Sequence, residues 1–124
     1  MDFKQAIETC LRTKYADFSG RASRAEFWWF ALFTFIVMVV LDVIVLAVQS
    51  SGILLTIFGL VFLVVAVGLI VPSLAAIVRR LHDTGKSGWL FLLVLIPLVG
   101  GIVLLVFYLL PSDAKANAYG EPPA

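Results

Sequence analysis

The sequence predicts an all-α integral membrane protein in which an N-terminal amphipathic, interfacial helix precedes three transmembrane helices, the second of them kinked at Pro72. Hydrophobic residues make up 62% of the 124 residues and charged residues 14%, whereas soluble domains are about 45–50% apolar and about 25% charged. The apolar residues also form three long runs, which no soluble domain of this size could bury. We therefore expect residues 1–124 to form a single membrane domain.

The first predicted element is a helix over residues 2–18. Apolar side chains recur there at helical spacing, with charged residues between them: Phe3, Ile7, Cys10, Leu11 and Phe18. A short helix with one apolar and one charged face, next to a membrane-spanning segment, is expected to lie in the membrane interface. The alternative is a helix that docks a partner protein.

Three apolar segments follow, at residues 24–48, 52–71 and 89–110. Each holds about 20 residues or more, which is the length that an α-helix needs to cross a ~30 Å hydrocarbon core. Asp42 is the single formal charge between Phe27 and Val78. A carboxylate at this depth is a candidate functional group, and a structural or interfacial role is the alternative.

The second apolar segment continues into residues 72–83. A straight helix from Gly52 to Asp83 would be about 48 Å long, well beyond the thickness of the membrane. Pro72 lacks a backbone N–H and kinks helices. We therefore predict a tilted segment over 72–83 that carries its polar end into the headgroup layer.

The distribution of Lys and Arg predicts the orientation. Eight of the nine lie before or at the start of the first span, or between the second and third: Lys4, Arg12, Lys14, Arg21, Arg24, Arg79, Arg80 and Lys86. Positive charge favours the cytoplasmic side, so the N-terminus is predicted to be cytoplasmic. With three crossings, residues 111–124 form a flexible tail on the other side. If the third run instead folded back at 97–101, the tail would join the cytoplasmic face.

Ser23 and Glu26 directly precede the first apolar run. A Ser followed three residues later by Glu matches the capping box, in which each side chain bonds the other residue's backbone N–H. We expect this pair to begin the first transmembrane helix.

The residues predict no catalytic, cofactor or metal site. The segment Gly85-Lys86-Ser87 lacks the glycine that a phosphate loop requires five positions before Gly85, where Arg80 stands. His82 and Cys10 are the single histidine and cysteine, and no nucleophile–base pair or carboxylate pair is evident. We expect no enzyme activity and no nucleic-acid partner.

Two stretches carry a family resemblance, residues 18–28 (FSGRASRAEFW) and 72–89 (PSLAAIVRRLHDTGKSGW), with 117–122 (NAYGEP) as a third element. The chain resembles the family called domain of unknown function 805, small bacterial inner-membrane proteins of the YhaH and YhaI type. The resemblance implies a multi-pass helical protein in the bacterial inner (plasma) membrane. It implies no activity.

The leading hypothesis is a non-enzymatic module whose cytoplasmic arginine-rich face binds anionic lipid headgroups or a partner membrane protein. Its candidate residues are Arg21, Arg24, Arg79, Arg80, His82, Asp83 and Lys86. The alternative is a subunit of an oligomeric transporter or channel that uses Asp42 and the proline-broken helices. Because three helices are too few to enclose a pathway, this alternative requires a symmetric homo-oligomer.

Overall fold

The computed structural model describes residues 1–123 and consists of helices. The α-helices are α1 (Phe3–Glu8), α2 (Arg24–Ala47), α3 (Gly52–Asp83) and α4 (Val99–Leu109), joined by a π-helical turn (Thr9–Thr13) and a 3-10 helix (Gly88–Leu95). Over residues 1–123 the only β-pairing is an isolated bridge between Asn117 and Gly120. The predicted all-α class is confirmed, and two helices, α2 and α3, are long and apolar enough to cross a membrane.

The N-terminal helix is shorter than the predicted 2–18. Asp2 caps α1 by accepting a hydrogen bond from the Gln5 N–H at 2.8 Å. After Glu8 the chain continues as the π-helical turn and then loses helical structure before Ser23. Phe3 packs edge-on against Trp29, with 5.6 Å between the ring centroids, so α1 lies against the first turns of α2.

Helices α2 and α3 form an antiparallel pair because only a short link separates them. Ser23 caps α2 by accepting from the Glu26 N–H at 3.1 Å, and Ser51 caps α3 by accepting from the Leu54 N–H at 3.3 Å. The reciprocal half of the predicted capping box does not form, since the Glu26 carboxylate is hydrogen-bonded to Arg79 instead.

Pro72 divides α3 into two environments. None of residues 52–71 is buried, whereas eight of residues 72–83 are. Helical bonding continues on both sides of Pro72, and the predicted kink stays a prediction. Since proline has no N–H to donate to the residue four positions earlier, the Gly68 carbonyl loses its helical partner. The Tyr15 hydroxyl donates to that carbonyl at 2.6 Å.

The third apolar run is a hairpin. Its first leg is the 3-10 helix and its second leg is α4; each is about 16 Å long from the rise per residue of its helix type, and the two pack against each other. The tip contains Pro97 and Leu98, whose φ is +62°. A Cβ at Gly100 would overlap the Leu93 carbonyl, so glycine is what lets the legs approach. The prediction of one continuous helix over 89–110 is therefore wrong.

The buried core lies at one end of the molecule, where the two termini and the hairpin ends meet. Its apolar members are Cys10, Phe27, Phe30 and Ala76. We call this the polar end, because the chain segments there (residues 1–26, 79–88 and 111–123) carry every charged residue except Asp42. The tail was predicted to be flexible, but Ser112 to Gly120 hydrogen-bond to the rest of the polar end. Ala124 lies outside the described residues.

Candidate functional site

Three of the four arginines expected at a lipid-facing surface are buried. Arg79 and Arg80 are 0% exposed and Arg21 is 4% exposed. Together with Glu26 and Asp83, which are also buried, they form what we call the arginine layer. A buried charge is tolerated only when it is paired and hydrogen-bonded. The partners of each guanidinium therefore explain the local fold.

Arg21 uses all five of its N–H donors, two on Asp83 at the end of α3 and three on the tail. Its Nε donates to Asp83 Oδ1 at 2.9 Å, and one terminal nitrogen donates to the carbonyls of Lys115 and Gly120 at 3.0 and 3.2 Å. The other terminal nitrogen donates to the carbonyls of Asp83 and Asp113 at 3.2 and 2.6 Å. The chain just before α2 thereby holds residues 113–120 over the end of α3.

Asp83 is the shared acceptor of the layer. Its second carboxylate oxygen accepts from Arg80 at 2.5 Å and from the Ser112 hydroxyl. Its backbone carbonyl also accepts from the Asp113 N–H at 2.8 Å. One carboxylate thus joins the segment before α2, the last turn of α3 and the start of the tail.

Arg80 supplies hydrogen-bond donors to the free carbonyls at the end of α4, the second leg of the hairpin. The last carbonyls of a helix have no intrahelical donor, and Arg80 donates to two of them, Tyr108 at 3.1 Å and Leu110. Trp28 Nε1 also donates to the Tyr108 carbonyl, at 3.4 Å. Arg80 reaches the Ala22 carbonyl as well, at 3.1 Å. The returning leg of the hairpin is therefore anchored at the polar end.

Arg79 holds the N-terminal segment. It pairs with Glu26, donates to the Asp17 carbonyl at 3.1 Å and contacts the Cys10 sulfur at 3.8 Å. Burial, followed by the nearby Glu26 carboxylate, raises the pKa of the Cys10 thiol to about 11. The thiol is therefore protonated at neutral pH and poorly reactive.

This pairing changes the charge available to ligands. Three of the nine Lys and Arg residues, and two of the eight carboxylates, are taken up in the arginine layer, and Asp42 lies on α2. Six cations and five carboxylates remain at the polar end, a nearly balanced set. Since the layer contacts carboxylates and carbonyls rather than solvent, Arg21, Arg79 and Arg80 are not placed to contact headgroups.

His82 lies beside the layer with its two ring nitrogens in different surroundings. Nδ1 is 3.0 Å from the Gly20 carbonyl. The ring stacks on Tyr119 with centroids 3.8 Å apart and planes within 2°. Asn117 of the tail donates to the His82 carbonyl at 3.0 Å. These contacts lock the imidazole between the loop before α2 and the tail.

A groove of about 690 Å³ runs between the end of α3 and the 3-10 helix. It is lined by Phe18, Leu74, Val78, His82, Ser87, Gly88, Trp89, Phe91 and Tyr119. A Cβ at Gly88 would lie 2.6 Å from Cγ1 of Val78, so glycine allows the 3-10 helix to start close to α3. Trp89, at the mouth, is 76% exposed. The groove is apolar along its walls and polar at the His82 end.

The remaining candidates lie outside this arrangement. Arg24 is exposed. Lys86 donates to the Thr84 carbonyl at 3.4 Å and lies 5.1 Å from the centre of the Phe107 ring. Asp42 is exposed on α2, far along the helix from the polar end. Within residues 1–123 no group of three His, Cys, Asp or Glu side chains could hold a metal ion.

Sequence reasoning missed several members of the site. Tyr119, Asn117 and Ser112 belong to the tail that was expected on the opposite side, and Phe18 was assigned to the interfacial helix. The motif NAYGEP was noted only as part of a resemblance. Its asparagine and tyrosine are the tail residues that contact His82.

Comparisons with known proteins cover nearly the whole chain. A sequence model of the family described as "Protein of unknown function (DUF805)" matches residues 15–121. The chain is 39% identical over 109 residues to "Inner membrane protein YhaI" of Escherichia coli K12, covering 88% of this chain and 87% of that protein. It is 40% identical over 115 residues to "Inner membrane protein YhaH" of the same strain, covering 88% of each. No solved structure matches.

Proposed function

The chain belongs to the DUF805 family, which has no assigned function and includes inner membrane proteins, and from this premise we propose that it is a non-enzymatic, multi-pass module of the bacterial inner membrane that binds a membrane lipid. The site is the groove between α3 and the 3-10 helix. The arginine layer is the frame that holds the groove in place, and it replaces the lipid-contacting role first expected of those arginines.

The proposed topology has two crossings, α2 and α3, and a hairpin that enters and leaves the membrane on the cytoplasmic side. Its support is the set of bonds that tie the tail to Arg21 and Asp83. In this topology all nine Lys and Arg residues lie on one side, which the positive-inside rule assigns to the cytoplasm. The exposed apolar tip of the hairpin, with Leu98 83% exposed, is then covered by lipid.

Cysteine labelling tests this topology. Ala118→Cys in the tail and Ser50→Cys in the link between α2 and α3 are made in a Cys10→Ser background, and both positions are exposed. In intact spheroplasts a membrane-impermeant maleimide should label position 50 and should reach position 118 only after permeabilisation. Labelling of position 118 in intact spheroplasts would instead support three crossings.

The observation that carries the lipid proposal is the groove itself. A volume of about 690 Å³ lies within the range of small-molecule sites, which are mostly apolar with a few placed polar groups. Its walls include Leu74, Val78 and Phe91, and its mouth includes the exposed Trp89, a residue type enriched at membrane–water interfaces. An acyl chain could enter such a groove directly from the bilayer.

A groove-filling substitution tests the proposal. Leu74→Trp places an indole in the groove, and Val64→Trp adds the same group on the exposed part of α3, where Val64 is 70% exposed. Native mass spectrometry of the detergent-purified chain should show one retained lipid that Leu74→Trp loses and Val64→Trp keeps. Equal lipid retention by two variants that melt alike would refute binding in the groove.

A second candidate, the oligomeric transporter or channel subunit, is favoured by one observation. Asp42 is exposed within α2. Two polar side chains near the link between α2 and α3 bond elsewhere: Thr56 to the Gly52 carbonyl at 2.8 Å and Gln49 to the Val45 carbonyl at 3.0 Å. Carboxylates within the membrane usually face a partner or a water-filled path. Ion flux in proteoliposomes that Asp42→Asn abolishes would support this candidate, and a strictly monomeric chain would exclude it.

A further inference from the structure

We infer that the lipid in the groove carries an uncharged, hydroxyl-bearing headgroup whose O–H donates to Nε2 of His82. This inference rests on the proposed lipid binding and specifies its chemistry. It replaces the anionic headgroup that the density of positive charge suggested. Three observations support it: the tautomer of His82, the absence of cations along the groove, and the length of apolar wall beside the imidazole.

The tautomer follows from the contact with Gly20. A backbone carbonyl only accepts hydrogen bonds, so Nδ1, at 3.0 Å from the Gly20 oxygen, must carry the proton. In the uncharged ring Nε2 then has a lone pair and accepts. Nε2 faces the groove, because a Cβ at Gly88, a groove residue, would lie 3.2 Å from it. A ligand O–H is the complementary group.

Charge in the groove favours an uncharged ligand. None of the nine residues that line it is Lys or Arg. The three buried arginines nearby donate to carboxylates, carbonyls and a thiol, and Lys86 is directed to the Thr84 carbonyl and the Phe107 ring. A phosphate in this groove would lose water without gaining a counter-charge, which is unfavourable. A hydroxyl would lose much less solvation free energy than a phosphate on entering the groove.

The other polar groups of the lining fit a hydroxylated headgroup. The Ser87 oxygen accepts from the Trp89 N–H at 3.3 Å, which leaves its own proton free to donate to a ligand oxygen. From the His82 end of the groove, the apolar wall continues as Val78, Leu74 and Phe91. A headgroup at His82 therefore places its acyl chain along the apolar wall toward the bilayer.

The test compares three lipids with identical acyl chains on the purified full chain. Dioleoylglycerol offers a free hydroxyl, its acetate ester lacks that hydroxyl, and the corresponding phosphatidic acid carries a phosphate. Native mass spectrometry should give dioleoylglycerol about a 3- to 10-fold higher affinity than the acetate ester, the effect of one hydrogen bond. Phosphatidic acid should bind no better than the ester.

Two substitutions of His82 distinguish the role of Nδ1 from that of Nε2. In His82→Asn the amide nitrogen can take the place of Nδ1 and keep the bond to Gly20, while nothing replaces Nε2; the preference for the hydroxyl should disappear. In His82→Gln the amide reaches the place of Nε2, and the preference should be retained in part. If either variant fails to fold, the comparison of the three lipids on the wild-type chain still tests the proposal.

The outcomes distinguish the two proposals. Binding of all three lipids with equal affinity, or tighter binding of phosphatidic acid, would overturn the hydroxyl specificity while leaving a lipid site in the groove. A His82→Asn protein that keeps the full preference would also overturn it. Absence of bound lipid in the wild type under every condition would overturn both.

Discussion

Backbone carbonyls accept most of the hydrogen bonds that the three buried arginines donate. Arg21 alone reaches carbonyls of Asp83, Asp113, Lys115 and Gly120. A guanidinium offers five donors in one plane, whereas an ammonium offers three around a point. Lysine at position 21 would therefore keep the charge and lose most of the contacts to the tail.

Asp83 balances two of these guanidinium groups. Replacing it by Asn leaves Arg21 and Arg80 buried without their shared counter-charge, and removing one partner of a buried pair costs about 3–5 kcal/mol. Asp83→Asn should therefore lower the free energy of unfolding by about that amount, as measured by denaturant titration in detergent. The exposed Glu8→Gln should change it little, and equal stability of the two variants would contradict the pairing.

Cys10 should react slowly with alkylating reagents. Its pKa rises from 9.0 to about 11, so at pH 7.5 the thiolate fraction is about 100-fold below that of a free thiol. The folded protein should resist maleimide and become reactive in denaturant. Because the folded-state pKa is raised, the associated stability is present below pH 9 and is lost as the pH rises toward 11. Rapid labelling at pH 7.5 would show that the thiol is accessible.

At this scale the sequence predicted where the charged residues gather, but it did not predict their burial. The sequence placed Arg21, Arg79, Arg80 and Asp83 on one face, and in the structure these residues and Glu26 lie together. Apart from the Cys10 sulfur, the remaining partners of the three arginines are backbone carbonyl groups. Every residue has such a group, so the residue types do not reveal these contacts. Charge patterning could not distinguish a solvated cluster from one enclosed by the chain's own backbone.

Among the elements, α3 shows how a proline inside a helix is accommodated. Pro72 leaves the Gly68 carbonyl without its helical donor, and the Tyr15 hydroxyl supplies a replacement at 2.6 Å. The same contact fastens the segment after α1 onto α3.

A double-mutant cycle tests this relationship. Tyr15→Phe should destabilise the protein by about 1 kcal/mol, the net value of a typical hydrogen bond. In a Pro72→Ala background the restored helical N–H already satisfies Gly68, so Tyr15→Phe should then cost much less. The two effects are read from denaturant midpoints in detergent, and strictly additive values would argue against a shared carbonyl.

The hairpin depends on one of two adjacent glycines. A Cβ at Gly100 would overlap the Leu93 carbonyl, while a Cβ at Gly101 meets nothing within 4 Å. Gly100→Ala should therefore separate the legs and destabilise the fold by about 1–3 kcal/mol, the range of overpacking substitutions. Gly101→Ala should be neutral or slightly stabilising, since alanine favours a helix. Similar thermal melts for both variants would contradict the packing of the legs.

Hydropathy identified the three apolar runs but could not distinguish a crossing from a hairpin in the third. Twenty-two apolar residues suffice for either arrangement. The residues that decide between them, Pro97 and Gly100, act through a missing N–H and a missing Cβ. Two such residues among twenty-two lower the mean hydropathy too little to interrupt the run. The first two runs lack such a pair of features near their centres, and both are helical in the structure, as α2 and α3.

For the molecule as a whole, the tail completes the polar end. Residues 112–120 supply the Ser112 hydroxyl, three of the four carbonyls that Arg21 contacts, and the Tyr119 ring beside His82. Lipid hydrocarbon offers no acceptor that could replace the carbonyls among them.

Truncation tests this dependence. A chain that stops after Pro111 should lose about 3 kcal/mol or more of stability, since several buried donors lose their acceptors, and should show a lower melting temperature and faster proteolysis of residues 14–23. A chain that stops after Gly120 keeps every one of these contacts and should behave as the full chain does. Equal melting temperatures would show that the tail is dispensable.

The position of those acceptors in the chain has a consequence for biogenesis. Arg21, Arg79 and Arg80 all leave the ribosome before the carbonyls of Tyr108, Asp113 and Gly120 that Arg21 and Arg80 contact. Until residues 108–120 emerge, other acceptors such as water must solvate these guanidinium groups. Closure of the polar end is therefore a late step of folding, and a chain that stops after α3 would leave buried guanidinium groups without most of their acceptors.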